Sequence, residues 1–305
     1  MPPAEHATGA ADSALELDFL RAELAALRAE HDDLTLLYEA LIEHGEAVED
    51  QLTESNLALR TAQRRLEAEL EDAARYVTSL LPAPRAADPA TDWQFVPSTE
   101  LGGDSFGYHA IDEDHLAIYL IDVCGHGVGA ALLSATVVNV LRNAALTAAD
   151  FRDPPRVLAA LNDAFPMERQ NDMFFTIWYG VYDYPNRRLR YSTGGHPPAV
   201  HLRTDAGGTV HTRLLATPGG MAIGAIEGVT YRSEDILIEP GDRLLVLSDG
   251  TFEVSGDGAQ MLGIAELASY AAQECDDPDA ILRWVLTFGD GGPLPDDFSL
   301  LRLQF

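Results

Sequence analysis

Apolar residues near the N-terminus recur at alternating steps of three and four. The series runs through Leu17, Leu20, Leu24, Leu27, His31, Leu34, Tyr38, Leu41, Gly45, Val48, Leu52, Ser55, Leu59, Ala62 and Leu66. Such steps, sustained over this many heptads, predict a coiled coil rather than one amphipathic helix lying on its own globular domain. The seam is expected to be loose at His31, Gly45 and Ser55, which are not large apolar residues.

Two successive steps of four, from Ala62 to Leu66 and on to Leu70, interrupt the heptad. This stutter locally unwinds a left-handed supercoil. A stutter beside a domain junction can transmit helix rotation, and it can equally be a tolerated irregularity. The helix is expected to end at Leu81, because Pro82 disfavours helical conformation in the residue before it.

Beyond the proline-rich stretch 82–90, the pattern changes to short apolar runs that alternate with helical periods. The predicted strands are Trp93–Val96, His115–Val123, Phe174–Tyr182, Arg188–Ser192, Ala199–Leu202, Asp235–Ile238, Arg243–Ser248 and Ser299–Phe305. The predicted helices are Val128–Ala148, Pro154–Arg169, Ile264–Gln273 and Pro278–Phe288. Strand groups separated by helix pairs indicate an α+β fold. We therefore expect a flexible terminus over 1–14, a coiled-coil helix over 15–81 and a folded domain over 82–305.

Composition narrows the classes of partner. The formal net charge of −29 argues against binding to nucleic acid and to anionic membranes, since both require a basic surface. The two cysteines cannot form a disulfide framework and lack zinc-site spacing. Because the sequence shows neither a secretion signal nor a long apolar run, a cytoplasmic protein is expected.

Aspartates recur where predicted strands end or begin. They are Asp104, Asp122, Asp249 and the pair Asp296-Asp297. Any one of them alone is typical of a turn or a helix cap. Together they could converge on one sheet edge, where oxygen-only ligands suit Mg²⁺ or Mn²⁺. Asp122 departs most from the turn interpretation, because Val-Cys-Gly-His-Gly and a helix follow it and could hold an anion beside a metal.

Seven short motifs, in order, carry a resemblance that extends from about Ala74 to the C-terminus. They are Ala74–Pro82, Gly-Gly-Asp at Gly102–Asp104, Asp-Val-Cys-Gly-His-Gly at Asp122–Gly127, Phe175–Gly180, Gly-Gly-His-Pro-Pro at Gly194–Pro198, Glu239–Val254 and Asp-Asp-Phe-Ser-Leu-Leu at Asp296–Leu301. Each motif alone is weak evidence for a family. In this order and spacing the chain resembles the SpoIIE-type branch of the metal-dependent serine/threonine protein phosphatases.

The resemblance implies a β-sandwich flanked by helices on both sides, and it implies that residues 82–305 form a phosphatase domain. It further implies that the catalytic residues Asp104, Asp122, Asp249 and Asp296 ligate two Mn²⁺ or Mg²⁺ ions, with the Val123 carbonyl as a backbone ligand and Asp122 bridging both ions. A water activated by the two metals would then attack the phosphoserine or phosphothreonine in line. Expected partners are a phosphorylated regulator such as an anti-sigma factor antagonist in a partner-switching pathway, a second copy of the chain bound through the coil, and an activator protein that binds the coil.

The chain departs from the family pattern at two places. Gly107 stands where the family often has a second Asp, and Thr193-Gly194 precede Gly195-His196 where Asn-Ala-Gly-His is common. His126 and His196 could position a general acid, a water or the substrate phosphate, or could satisfy backbone groups in glycine turns.

Two other functions are compatible with parts of the sequence. A catalytically weak scaffold could bind a signalling partner, although clustered carboxylates without a metal would then be kept at a cost. A diguanylate cyclase would use the Gly-Gly-Asp motif, but it requires an acidic residue at Ser105 and a metal-binding Asp upstream, where the coiled coil lies.

Overall fold

The computed structural model describes residues 6–98, 101–146, 149–254, 261–289 and 294–305, with side chains from residue 15 onward. The chain divides between Ala68 and Glu69 into two units. A continuous helix, α1 (His6–Ser79), forms the first unit and extends into the second. The predicted long helix is confirmed, and it ends two residues before Leu81. The predicted flexible terminus, 1–14, falls partly outside the described residues, and the helix starts within it.

The apolar seam of α1 is exposed to solvent over the residues whose side chains the structure describes. Every described side chain from Leu15 to Glu69 is exposed, including the leucines of the heptad series. Helices with such a stripe normally bury it against a partner. Among the residues that the structure describes, no helix combines the length and the apolar composition that a membrane span requires.

The second unit is built on two antiparallel sheets. Sheet A has the strand order β1 (Ala90–Val96), β10 (Phe298–Gln304), β9 (Arg243–Leu247), β6 (Ala199–Thr204) and β7 (Val210–Leu215). Sheet B has the order β2 (Ser105–Ala110), β3 (His115–Val123), β4 (Phe175–Asp183), β5 (Arg188–Gly194) and β8 (Glu234–Leu237). Large side chains from both sheets, including Trp178, Tyr191 and Leu301, interdigitate between them and are inaccessible to solvent.

Each sheet carries a helix pair on its outer face. Helices α2 (Val128–Arg142) and α3 (Pro154–Ala164) pack on sheet B, and α4 (Ile264–Gln273) and α5 (Pro278–Val285) pack on sheet A. The resulting order of layers is helices, sheet, sheet, helices. The expected sandwich with helices on both sides is therefore confirmed.

Three helices are shorter than their sequence periods predict. Helix α2 ends at Arg142 rather than Ala148, and residues 147–148 lie outside the described part. Helix α3 ends at Ala164, two residues before Pro166, and a separate 3₁₀ turn follows at Met167–Arg169. Proline disfavours helical conformation in the residue before it, which explains the end of α3. Helix α5 ends at Val285 rather than Phe288.

Candidate active site

One cavity of about 310 Å³ lies where β3 ends and where the segments after β9 and before β10 approach it. Its lining consists of Ser98, Asp122, Val123, Cys124, Gly125, His126, Phe174, Thr176, Asp249, Pro295 and Asp296. Three of the four predicted aspartates and Val123 are therefore brought together, although up to 174 residues separate them in sequence. Asp104 is buried beside this group but does not line the cavity.

Asp122 lies at the end of β3, directly opposite Thr176 of β4. Burial raises the pKa of Asp122 to about 7, and the negative charges of Asp249, Asp296 and Asp297 add to the rise. Residues opposite each other in antiparallel strands project to the same face. Asp122 and Thr176 thus face the cavity together.

Asp104 occupies the turn that leads into β2. Its side chain is 2% exposed, and its Oδ2 atom has no hydrogen-bond partner. Burial raises the pKa of Asp104 well above its usual value, the charges of Asp122 and Asp297 raise it further, and the nearby hydroxyls of Ser299 and Ser248 offset part of the rise. An orphaned buried carboxylate oxygen is unfavourable unless a cation or a donor meets it.

Asp249 begins the 3₁₀ turn after β9, and Asp296 precedes β10. Burial raises the pKa of Asp249, and the charges of Asp296 and Glu253 raise it further. The two segments pass very close to each other at Gly250, where a side chain would collide with the Asp297 carbonyl. Glycine at this position therefore allows Asp249 and Asp296 to share one cavity.

Asp297, named in the sequence only as part of an Asp-Asp pair and given no role of its own by the resemblance, is a further functional candidate. Its Oδ1 accepts hydrogen bonds from the Ser98 backbone N–H (2.8 Å) and hydroxyl (3.0 Å), and its Oδ2 accepts one from the Asp104 N–H (3.3 Å). Asp297 is buried, whereas Asp296 is exposed. The adjacent pair Asp296-Asp297 was the signal in the sequence for a second role. Neighbouring residues of an extended segment point in opposite directions, so one aspartate of the pair can line the cavity while the other points away from it.

The glycines of the first two motifs permit close backbone contact. A side chain at Gly103 would meet the carbonyl oxygens of Val123 and Gly125, and one at Gly102 would collide with the Asp297 carboxylate. Gly125 and Gly127 have φ angles of 87° and 89°, which only glycine adopts readily. The turn after Asp122 thereby reaches the start of α2, whose first turn has no side-chain cap.

The two histidines differ in position. His126 is exposed and lines the cavity, whereas His196 is buried and contacts Thr176 through Nδ1 at 2.7 Å.

Cys124 lines the cavity, and its Sγ accepts a hydrogen bond from the Phe174 N–H at 3.2 Å. Gly107 cannot carry a side chain here, because the Tyr119 hydroxyl and ring fill the space where its Cβ would be.

Two larger depressions, of about 420 and 620 Å³, lie at the other end of sheet B. Their arginines are engaged by neighbouring carboxylates: Arg152 pairs with Asp150 at 2.9 Å, and Arg188 pairs with Asp235 at 2.9 Å. Ion pairs of this kind on an exposed surface are typical of structure rather than of a reactive site. The smaller, carboxylate-lined cavity therefore offers the more specific chemistry.

The donor set of this cavity fits a hard divalent cation. No positive charge is among the groups that shift the pKa of Asp104, Asp122 or Asp249, so their mutual repulsion is uncompensated. Within the described ranges, no three His, Cys, Asp or Glu side chains form a ready-made metal cluster. The carboxylates thus surround the cavity rather than close on one point. Oxygen donors in this arrangement suit Mg²⁺ or Mn²⁺.

Two proteins of known name are similar to this chain in sequence. The phosphoserine phosphatase RsbP of Bacillus subtilis (strain 168) is 30% identical over 190 residues, which cover 61% of this chain and 45% of RsbP. The phosphoserine phosphatase RsbU of the same strain is 27% identical over 223 residues, covering 72% of this chain and 62% of RsbU. The chain thus spans less than two thirds of either relative.

The fold also has a solved counterpart. The SiaA-PP2C domain of Pseudomonas aeruginosa superposes with a TM-score of 0.66 at 21% identity, covering 80% of this chain and 98% of that one. The family model for Stage II sporulation protein E (SpoIIE) matches residues 112–305, which include Asp122, Asp249 and Asp296 but not Asp104. Because this match extends over more than half of the chain, the chain belongs to the SpoIIE family.

Proposed function

We propose that this protein is a metal-dependent phosphatase that hydrolyses phosphoserine or phosphothreonine on a small regulatory protein. The observation that carries the proposal is the convergence of Asp122, Asp249 and Asp296 on one cavity, with Asp104 buried beside them and no compensating positive charge. The names of RsbP and RsbU, both phosphoserine phosphatases, support it. By analogy with these relatives, the substrate is a phosphorylated partner-switching regulator such as an anti-sigma factor antagonist.

Asp104, Asp122, Asp249 and Asp296 would hold two Mn²⁺ or Mg²⁺ ions, together with the Val123 carbonyl. Such ions, when bound, neutralise a phosphate dianion and lower the pKa of a water molecule. The uncapped first turn of α2, beside Gly125 and His126, provides backbone N–H groups for phosphate oxygens.

Hydrolysis requires no nucleophile from the protein. The water oxygen forms the new bond to phosphorus, the bond from phosphorus to the serine Oγ breaks, and one water proton ends on that oxygen. The products are the serine hydroxyl and hydrogen phosphate. Cys124 is a packing residue in this scheme, since its Sγ is engaged by the Phe174 N–H.

The second part of the proposal is a homodimer formed through α1. In the heptad series Leu17 takes position a and Leu20 position d, which makes Leu41 a d residue. A parallel, in-register pair then places each g residue beside the e residue five positions later in the partner helix. The resulting pairs are Glu16 with Arg21, Glu23 with Arg28, Glu30 with Thr35, Leu37 with Ile42, His44 with Glu49 and Gln51 with Asn56. None of these pairs joins like charges, which favours the parallel arrangement.

Control of activity through the coil is the third part. The stutter at Leu66–Leu70 lies shortly before the helix ends, so a rotation of the coil, including one set by an activator protein bound to it, could reach the phosphatase unit. Inserting one residue near Leu70 is expected to change phosphatase activity without changing metal affinity, while inserting seven residues is expected to be tolerated. Equal activities of the two insertions would contradict this part alone.

The catalytic proposal is tested with purified full-length protein and a matched pair of variants. Wild type is expected to hydrolyse an aryl phosphate and a phosphoserine regulator only with Mn²⁺ or Mg²⁺ present, and Asp122→Asn is expected to lose about a hundredfold or more in kcat. Asp183→Asn, at the far end of β4, is the control and should match wild type. Isothermal titration calorimetry with Mn²⁺ distinguishes the phosphatase, which would bind the metal, from a scaffold, which would not. Full activity of Asp122→Asn would contradict the proposal.

A further inference from the structure

A buried histidine holds the hydroxyl of Thr176 at the edge of the candidate active site. His196 Nδ1 lies 2.7 Å from Thr176 Oγ1, and Thr176 faces the cavity directly opposite Asp122. A backbone bridge between Ile177 and Gly195 brings the two segments together. Thr176 precedes Ile177 and His196 follows Gly195, so this pairing fixes the positions of both. The contact therefore depends on the sandwich itself and not on a loose loop.

The burial of His196 selects one protonation state of its ring. The side chain is 7% exposed, and burial lowers the pKa of His196 to about 3, an effect that the neighbouring Leu247 carbonyl only partly offsets. The ring is therefore neutral and has one N–H donor and one acceptor nitrogen. Nε2 is buried without a hydrogen-bond partner, and the Leu247 carbonyl lies near the ring. In the tautomer with its proton on Nε2, Nδ1 is the acceptor in the contact with Thr176.

This tautomer determines what Thr176 presents to the cavity. If Nδ1 accepts, the Thr176 O–H bond points at His196, and the lone pairs of Oγ1 are left for a donor in the cavity. A phosphate dianion has no proton to donate, whereas water has two. Opposed side chains in an antiparallel pair have Cβ atoms about 5 Å apart and project side by side, so one water in the cavity can contact both Thr176 and Asp122.

We propose that His196 and Thr176 form a positioning pair in which Thr176 Oγ1 accepts a hydrogen bond from the attacking water beside Asp122. This inference rests on the proposed phosphatase function. With one proton directed to Thr176 and the other toward Asp122, the water presents a lone pair to phosphorus. Thr176 takes no proton: the new P–O bond forms, the P–O bond to the substrate serine breaks, and the transferred proton ends on the serine oxygen. His196 touches neither water nor substrate and acts only through Thr176.

The test begins with Thr176→Val, which preserves shape and removes the hydroxyl. We expect kcat to fall about ten- to a hundredfold, the range expected for a displaced reactant, while KM for an aryl phosphate and the calorimetric Mn²⁺ affinity each stay within about twofold. Thr176→Ser restores the acceptor oxygen and should recover kcat to within about threefold. A kcat of Thr176→Val within twofold of wild type overturns the inference, as does a loss matched by an equal loss of Mn²⁺ affinity.

A second pair of variants tests His196 separately. The carbonyl of asparagine can occupy the place of Nδ1, whereas the longer glutamine places its amide near Nε2. His196→Asn should therefore retain more kcat than His196→Gln, with thermal unfolding recorded for both. If both fail to fold, the Thr176 pair still decides the proposal.

Nitrogen-15 NMR of the histidine rings provides a reading that does not depend on turnover. We expect His196 to be neutral and protonated on Nε2 between about pH 5.5 and 8, and a proton on Nδ1 would overturn the acceptor role of Thr176. Absence of metal-dependent turnover in wild type would overturn the phosphatase function and this inference together. Normal turnover in Thr176→Val would overturn the inference alone.

Discussion

The Asp297 carboxylate accepts a hydrogen bond from the backbone N–H of Asp104, 193 residues earlier in the chain. The same carboxylate accepts two hydrogen bonds from Ser98. One buried side chain thus fixes the turn that carries Asp104 to the segment that carries Asp296. We conclude that Asp297 supports the geometry of the cavity, although it does not line it.

Crowding this support should disturb the site. In Gly102→Ala the new Cβ collides with the Asp297 carboxylate, which must move away from its donors. We expect the free energy of unfolding to fall by about 1–3 kcal/mol and kcat to fall about tenfold, measured by urea denaturation and by aryl phosphate hydrolysis. Gly45→Ala, in open space on α1, is the control and should be neutral or stabilising by up to about 1 kcal/mol. Equal effects of the two substitutions would contradict the role given to Asp297.

The dimer is expected to depend on the position of a leucine in the heptad rather than on its exposure. Leu41 and Leu36 are 67% and 65% exposed in the single chain, but Leu41 occupies a d position and Leu36 an f position. Leu41→Glu should raise the dimer dissociation constant about a hundredfold or more, because it places two charges in the seam, whereas Leu36→Glu should leave it within about threefold. Sedimentation equilibrium measures both. A similar weakening by Leu36→Glu would indicate that another face forms the interface.

Cysteine chemistry is not expected to contribute to catalysis. Cys124 lines the cavity, but its sulfur accepts a hydrogen bond from a backbone N–H, a role that a serine oxygen can also take. Cys124→Ser should therefore retain kcat within about threefold. Cys275→Ser, away from the cavity, is the control. Loss of activity in Cys124→Ser alone would require a different mechanism.

A buried ion network predicts that stability falls in acid. His201 Nε2 lies 2.9 Å from Asp242 Oδ2, and Arg203 donates to both oxygens of Asp242. Burial lowers the pKa of His201, and Asp242 offsets only part of this effect. Burial alone would raise the pKa of Asp242, but hydrogen bonds from Arg203, the Glu239 N–H and His201 outweigh it and lower the pKa.

Both groups therefore release their protons more readily in the folded state than in the unfolded chain. Their contribution to the free energy of unfolding is present at neutral pH. It is lost as pH falls, first below about 6.5 for His201 and then below about 4 for Asp242. The raised pKa values of Asp104, Asp122 and Asp249 act in the opposite direction, so the decline is read from the difference in melting temperature between wild type and His201→Gln, recorded between pH 8 and 3. This difference should shrink as pH falls below about 6.5, whereas the difference between wild type and His211→Gln, at an exposed histidine, should not. A difference for His201→Gln that does not change with pH would contradict the assignment.

The architecture could be predicted because its central strands are strongly apolar. Strand β3 has the predicted bounds, His115–Val123, since almost every residue in it is buried. Two strands, β2 and β7, were not predicted. Strand β2 contains Gly107 at its centre, and β7 is a sheet edge whose middle residues are polar and exposed. Neither shows the alternation that marks a half-buried strand.

The candidate site was predicted only in part, for a similar reason. The aspartates at strand ends could be found from the motifs, because each follows or precedes an apolar run. Thr176 lies inside an apolar strand and His196 inside a glycine turn, so neither shows in the sequence which group it faces. Their relation depends on the pairing of β3 with β4 and on the bridge beside Gly195. Long-range contacts of this kind have no local signal.

The Tyr119 hydroxyl, which fills the space beside Gly107, limits how this protein can change over evolution. An aspartate at position 107, as the family often has, cannot enter while the tyrosine ring is present, and a smaller residue at 119 would leave a cavity while glycine remains. The two positions must therefore be exchanged together. Either exchange alone is therefore expected to lower the free energy of unfolding, and both together to lower it less.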